Sequence, residues 1–112
     1  MSTAQEIQFA TQEKNGWTIW KVSGRLDRTT GNLATEEGEK VLATTQKLAM
    51  NLSGLDYISS AGIRVLMRIA KKAAAAEKTF VLCGAKGMVK NVFEEASLSV
   101  LMTIYNSEDD LV

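Results

Sequence analysis

The chain has 112 residues, thirteen basic and thirteen acidic side chains, one Cys, no His and no Pro. That length is one small domain, 1–112, able to bury about 65% of its unfolded surface, and the charge balance provides no single-sign field to capture nucleic acid or an anionic bilayer. Without His there is no Ser-His-Asp or Cys-His nucleophile and no imidazole metal ligand, so an enzyme, a metal site or a bound cofactor is not expected.

In chain order, Ile7, Phe9 and Thr11 alternate with Gln8, Ala10 and Gln12 and predict a half-buried strand. Asn15-Gly16 tolerates positive φ at both central turn positions and signals a hairpin. The return strand, Trp17 to Val22, carries apolar groups on both faces, which suits a strand inside a sheet with cover on one face. Gly24-Arg25-Leu26-Asp27 interrupts the pattern, and Asp27, Thr29 and Thr30 are good N-cap types for a helix starting near Thr30. Its weak stripe is Ala34, Gly38, Val41 and Leu42. Gly38 costs about 1 kcal/mol against Ala in a helix interior, which a close helix-to-sheet approach would explain.

Leu48 to Leu52 and Thr79 to Cys83 read as buried strands of a partly parallel sheet. Between them, Ile63, Leu66, Met67, Ala70, Ala73 and Ala74 recur at helical spacing from about Ser60 to Ala76, with Arg64, Arg68, Lys71 and Lys72 opposite. A further helix follows Gly87 on Val89, Val92, Phe93 and Ala96. Thr103-Ile104-Tyr105 is a short last strand, and Ser107 to Asp110 a cap with an acidic first turn. The pattern predicts an α/β mixed sheet, an opening hairpin followed by alternating helices and strands, with helices on one face or both. Cys83 and the two Trp residues read as core. Gly84-Ala85-Lys86-Gly87 lacks the spacing of a phosphate-binding loop. The polar start, Met1 to Glu6, has no leader character, no run approaches the roughly 20 apolar residues that cross a bilayer, and the lone Cys fits a reduced compartment; a cytoplasmic protein is expected.

Candidate chemistry gathers in Leu52 to Ile63, read as the connection from a buried strand to the strongest helix. Ser59-Ser60-Ala61-Gly62 places two hydroxyls at a helix N-terminus. One reading is a simple cap; the other is a phosphorylation switch, since a charge of about −1.5 to −2 is tolerated there locally but misfits a docked partner. Val65 and Ile69, placed on a flank by 100° steps from Ile63, are either the edge of a broad core or part of an interaction surface. Arg64 and Arg68 are solvated or face an acidic partner. Asp27 and Asp56 are the carboxylates closest in role to the serine pair.

Gly24-Arg25-Leu26-Asp27 together with Asn51-Leu52-Ser53-Gly54-Leu55-Asp56-Tyr57-Ile58-Ser59-Ser60-Ala61-Gly62-Ile63-Arg64-Val65-Leu66 resembles the STAS domain of bacterial anti-sigma-factor antagonists, and the resemblance covers nearly the whole chain. It implies a mixed sheet with helices mainly on one side and a non-catalytic, protein-binding role. In that family the antagonist binds an anti-sigma factor that is also a serine kinase, phosphorylation of the antagonist ends binding, and a phosphatase restores it. The family's phosphorylated residue stands two before the Gly, which here is Ser60; Ser59, where many members carry Asp, is a second candidate. Asp27 matches the acidic residue beside the serine. The implied partner surface is Asp27, Ser59, Ser60, Gly62, Arg64, Val65, Arg68 and Ile69, on a monomer or weak dimer. The alternative is a STAS binding module that is not phosphorylated, in a lipid-transport or signalling assembly.

Overall fold

The computed structural model describes residues 6–112; residues 1–5, on which most of the polar start falls, lie outside it. Strands β1 (Ile7–Lys14) and β2 (Trp17–Leu26) form the opening hairpin, followed by α1 (Gly31–Ala43), β3 (Lys47–Ile58), α2 (Ser60–Ala75), β4 (Thr79–Cys83), α3 (Gly87–Glu95) and β5 (Ile104–Tyr105). The hairpin turns at Asn15 and Gly16, with φ of 55° and 83°, as the Asn-Gly pair requires. The five strands lie in sequence order, β1 antiparallel to β2 and the other neighbours parallel.

Two apolar clusters flank the sheet. Trp20, Val22, Leu48, Met50, Leu52 and Leu82 face the helices and pack on Leu66, Ile69 and Phe93, while Trp17, Ile19, Ala49, Val81 and Cys83 form a smaller cluster with Leu111 on the other face. The helices therefore cover one face. A segment after β5 covers the other: a 3₁₀ turn, Glu108–Asp110, holds Leu111 against the sheet, Trp17 Nε1 donates to the Val112 carbonyl at 3.1 Å, and Lys14 pairs with Glu108 at 3.4 Å. Both Trp residues and Cys83 are core, and burial pushes the Cys83 thiol up to about 11.

Gly38 sits where α1 comes closest to its neighbours. A Cβ there would lie 2.5 Å from Ile69 Cδ1 and 2.8 Å from Trp20 Cη2, so the close approach inferred for Gly38 involves α2 as well as the sheet. No helix among the described residues is long and apolar enough to cross a membrane.

One expectation fails. The stretch after Leu52 is not a loop, because β3 continues to Ile58 and β2 beside it to Leu26. The ladder passes from Lys21↔Asn51 to Ser23↔Gly54 and from Gly24↔Leu55 to Arg25↔Tyr57, with a register shift at each step. Each shift inserts a residue into β3, so its buried positions become Leu52, Leu55 and Ile58, three apart, and the alternation that marks a strand is lost. The connection from β3 to α2 shrinks to Ser59.

Candidate functional site

The parallel pairing of β2 and β3 ends at Leu26↔Ile58, so the next residues, Asp27 and Ser59, leave the sheet side by side. Ser59 N–H donates to the Leu26 carbonyl at 3.1 Å and ties the two strand ends together. Beyond Leu26 the chain turns on Asp27, whose Oδ1 accepts from the Thr29 hydroxyl at 2.7 Å, the Thr29 N–H at 2.9 Å and the Thr30 N–H at 3.3 Å. Thr30 Oγ1 reciprocates, accepting from Asp27 N–H at 3.0 Å and donating to the Arg25 carbonyl at 2.9 Å. The Thr29 hydroxyl, then the two backbone N–H groups and Arg25, hold the Asp27 carboxyl below the usual aspartate range despite some desolvation. Asp27 is thus ionised and committed to shaping the turn beside the serine pair.

The two serines have different positions. Ser59 is the N-cap of α2, with extended backbone (φ −107°, ψ 178°), and its Oγ accepts from Gly62 N–H at 3.4 Å. Ser60 is the first helical residue; its side chain is exposed, and among the described residues its hydroxyl makes no hydrogen bond. One serine suffices to cap the helix, and the other projects into solvent. Asp56, one of the two carboxylates grouped with the pair, lies exposed on β3, before the strand ends.

Three of the residues assigned to the partner surface lie inside the molecule instead. Gly62 is buried, and a Cβ there would lie 2.6 Å from both the Leu26 carbonyl oxygen and Ile58 Cγ1; it lets the first turn of α2 press onto the strand ends. Ile69 has no accessible surface and Val65 retains only 6%. The buried face of α2 is Gly62, Val65, Leu66, Ile69 and Ala73, turned away from the Ile63-centred stripe so that Met67 is 41% exposed. The cause is α1, which packs beside α2 as well as on the sheet: a Cβ on Gly31 would meet Val65 Cγ2 at 3.4 Å, and Gly38 approaches Ile69 closely. Small residues Gly31, Ala34 and Gly38, at helical spacing along α1, are the sequence signal for this helix-to-helix seam.

Arg64 and Arg68 are exposed. They line a groove of about 260 Å³ between α1 and α2, together with Arg28, Asn32, Thr35 and Ala61, above Gly31 and Val65. Arg28, Asn32 and Thr35 were not among the residues singled out from the sequence. The open end of the molecule thus brings together the Asp27 turn, the Ser59 cap, the Ser60 hydroxyl and an arginine-lined groove.

Comparison with known proteins bears on the family and the fold. The family profile described as STAS domain matches residues 8–111. BtrV of Bordetella bronchiseptica, a candidate anti-sigma factor antagonist, is 34% identical over 77 residues, covering 69% of this chain and 66% of that protein. The chain thus spans just under two thirds of that relative. An anti-sigma factor antagonist from Mycobacterium paratuberculosis superimposes with a TM-score of 0.85 at 22% identity, over 98% of this chain and 94% of the other. The Bacillus cell fate determinant SpoIIAA, solved in a phosphorylated form, gives 0.66 at 13% identity, over 92% and 95%. These two likenesses are of fold; with the profile match along almost the whole sequence, they place the chain in the STAS domain family.

Proposed function

We propose that this STAS domain is a cytoplasmic, non-catalytic anti-sigma-factor antagonist that binds an anti-sigma factor with serine-kinase activity, thereby releasing a sigma factor, and that phosphorylation of Ser60 ends the binding until a phosphatase removes the phosphate. The observation that carries the reading is the division of labour between the serines: Ser59 caps α2, leaving the Ser60 hydroxyl exposed and unbonded at the head of the helix. The relation to BtrV and the likeness to an SpoIIAA that exists in a phosphorylated form support it.

Ser60 is a substrate in this scheme. The partner surface consists of the Asp27 turn, Ser59, Ser60, Arg64 and Arg68. Gly62, Val65 and Ile69 support it from below. A phosphate at a docked contact adds about −1.5 to −2 charge, and a penalty of about 3–4 kcal/mol weakens binding several hundredfold.

The test has two parts. Intact-mass and phosphopeptide analysis of the chain from its own cells is expected to show a phosphate on Ser60. Ser60→Ala is expected to retain the kinase-like partner in pull-downs, while Ser60→Asp loses it. Equal recovery with both variants, together with no phosphopeptide in any growth condition, leaves the constitutive binding module as the reading.

A further inference from the structure

Arg28, Arg64 and Arg68 line the groove between α1 and α2, the residues facing them from α1 are Gly31, Asn32 and Thr35, and among the described residues no carboxylate lines it. Among the described residues none of these three guanidinium groups makes an ion pair. Farther along the same helix contact the arrangement is different: Glu39 of α1 meets Lys72 of α2 at 3.5 Å. α1 thus supplies an acid to α2 at one end of the contact and none at the end beside Ser60. Like charges gathered without a counter-charge repel one another, and an anion entering the groove relieves that repulsion.

Position identifies the anion. Ala61 lines the groove, and its neighbour Ser60 carries the exposed hydroxyl. Ser60 and Arg64 are i and i+4 on one helix, a spacing that sets their Cβ atoms roughly 6 Å apart. Long side chains on a helix lean back over the preceding turn, a tendency that favours an approach of Arg64 to a group carried on Ser60, while Arg28 and Arg68 complete the basic lining.

We infer that the groove is the seat of a phosphoryl group carried by Ser60 itself, a phosphate dianion held within the same molecule by Arg64 and Arg28. This deepens the reading of Ser60 as a phosphorylation site and rests on it. In forming the group, Ser60 Oγ attacks the γ-phosphorus of a nucleoside triphosphate held by the partner kinase. The Oγ–P bond forms, the bond from that phosphorus to the bridging oxygen breaks, the nucleoside diphosphate leaves with the electron pair, and the hydroxyl proton passes to solvent. Charge-assisted, bidentate contacts suit guanidinium to the product. Phosphorylation then acts twice: it adds negative charge at the contact surface, and it occupies the arginines that an acidic partner surface would otherwise meet. Of the carboxylates near the Asp27 turn, Asp27 is already engaged by Thr29, Thr30 and Arg25, and Glu6 accepts from the Thr29 hydroxyl at 3.5 Å; neither pairs with the groove arginines.

The test uses the full chain with phosphoserine inserted at position 60 during translation, so no kinase is needed, and follows the phosphorus resonance through a pH titration. The second phosphate pKa is expected about one unit below its ordinary value of about 6, the direction set by nearby positive charge. Arg28→Gln with Arg64→Gln returns it to about 6, Arg64→Lys keeps it low, and Lys90→Gln, on α3, has no effect. Equal values in the parent and the Arg28→Gln, Arg64→Gln chain overturn the inference. In a second arm the unmodified chain is titrated with inorganic phosphate while arginine Nε–H resonances are followed; saturation below millimolar phosphate would assign the groove to a free anion and also overturn it. Absence of phosphate on Ser60 in cells would instead count against the proposed function, and intact mass reads that separately.

Discussion

Gly62→Ala tests the link between the packing of α2 and the site at its head. The added methyl carbon would lie 2.6 Å from the Leu26 carbonyl oxygen and 2.6 Å from Ile58 Cγ1, with Leu26 Cγ at 3.1 Å. Ile58 is buried, and the Leu26 carbonyl is fixed in the ladder and accepts the Ser59 N–H, so the first turn of α2 must lift away from the strand ends. Overpacking of this kind costs about 1–3 kcal/mol, and lifting the turn also weakens the bond from Gly62 N–H to Ser59 Oγ, a cap worth about 1 kcal/mol. Ala in place of Gly in a helix offsets about 1 kcal/mol of that. The net loss is about 1–3 kcal/mol, which lowers the Tm by roughly 5–15 °C in a domain of this size. Thermal unfolding followed by circular dichroism measures it, with Ser59→Ala as comparator, expected to cost only the cap. An unchanged or raised Tm in Gly62→Ala would refute the packing account, since helix propensity alone predicts a gain.

At Gly38 the same conflict involves side chains rather than backbone. Gly38→Ala alone is expected to destabilise by up to about 2 kcal/mol, overpacking less the propensity gain, and Ile69→Val, which removes the Cδ1 atom 2.5 Å from the added carbon, is expected to cost about 1 kcal/mol. The double variant should lose clearly less than the sum, a coupling that denaturant midpoints in a double-mutant cycle detect; strict additivity would place the clash elsewhere. The third prediction concerns the C-terminal segment. Burial opposes ionisation of Glu108, but hydrogen bonds from Asn51 and Lys14, with the charges of Lys21 and Lys14, outweigh it and hold the carboxyl below the ordinary range. A lowered folded pKa gives stability that is complete above the unfolded value of about 4.3 and is lost as pH falls through the folded one. Trp17 fluorescence, sensitive to the neighbouring Val112 carbonyl, should change in that window, and Glu108→Gln should flatten the dependence.

How far the sequence foretold these contacts depended on how local their cause is. The Asn15-Gly16 hairpin, a serine cap within the Ser59-Ser60 pair and the stripe of α1 follow from residues adjacent in the chain; the pattern left open which serine caps, and the structure assigns it to Ser59. The extension of β3 was hidden because its irregular pairing with β2 destroys the period-two pattern while adding no helical one. The face of α2 was misphased for a different reason: a helix with one neighbour buries one stripe, whereas α2 packs against both the sheet and α1, and the second contact pulls Val65 and Ile69 inward. Arg28, Asn32 and Thr35 stand 36, 32 and 29 positions before Arg64 in the chain. No periodicity joins them; only the seam between the two helices does.

The zero net charge takes on a different meaning once these positions are known. Summed over the molecule, thirteen bases cancel thirteen acids, and a distant polyanion or membrane feels little. Within a Debye length of about 8 Å, however, a site feels only its own surroundings. Around the C-terminal turn the charges are paired, Lys14 with Glu108 and Asp109. Around the groove they are segregated: among the described residues Arg28, Arg64 and Arg68 make no ion pair and no carboxylate lines it. The groove is thus a local basic site next to an exposed hydroxyl, on a chain whose formal charges sum to zero. The same added charge on a strongly basic or acidic chain would be a smaller fraction of the existing field, so a zero net charge favours control of an encounter by one modified residue.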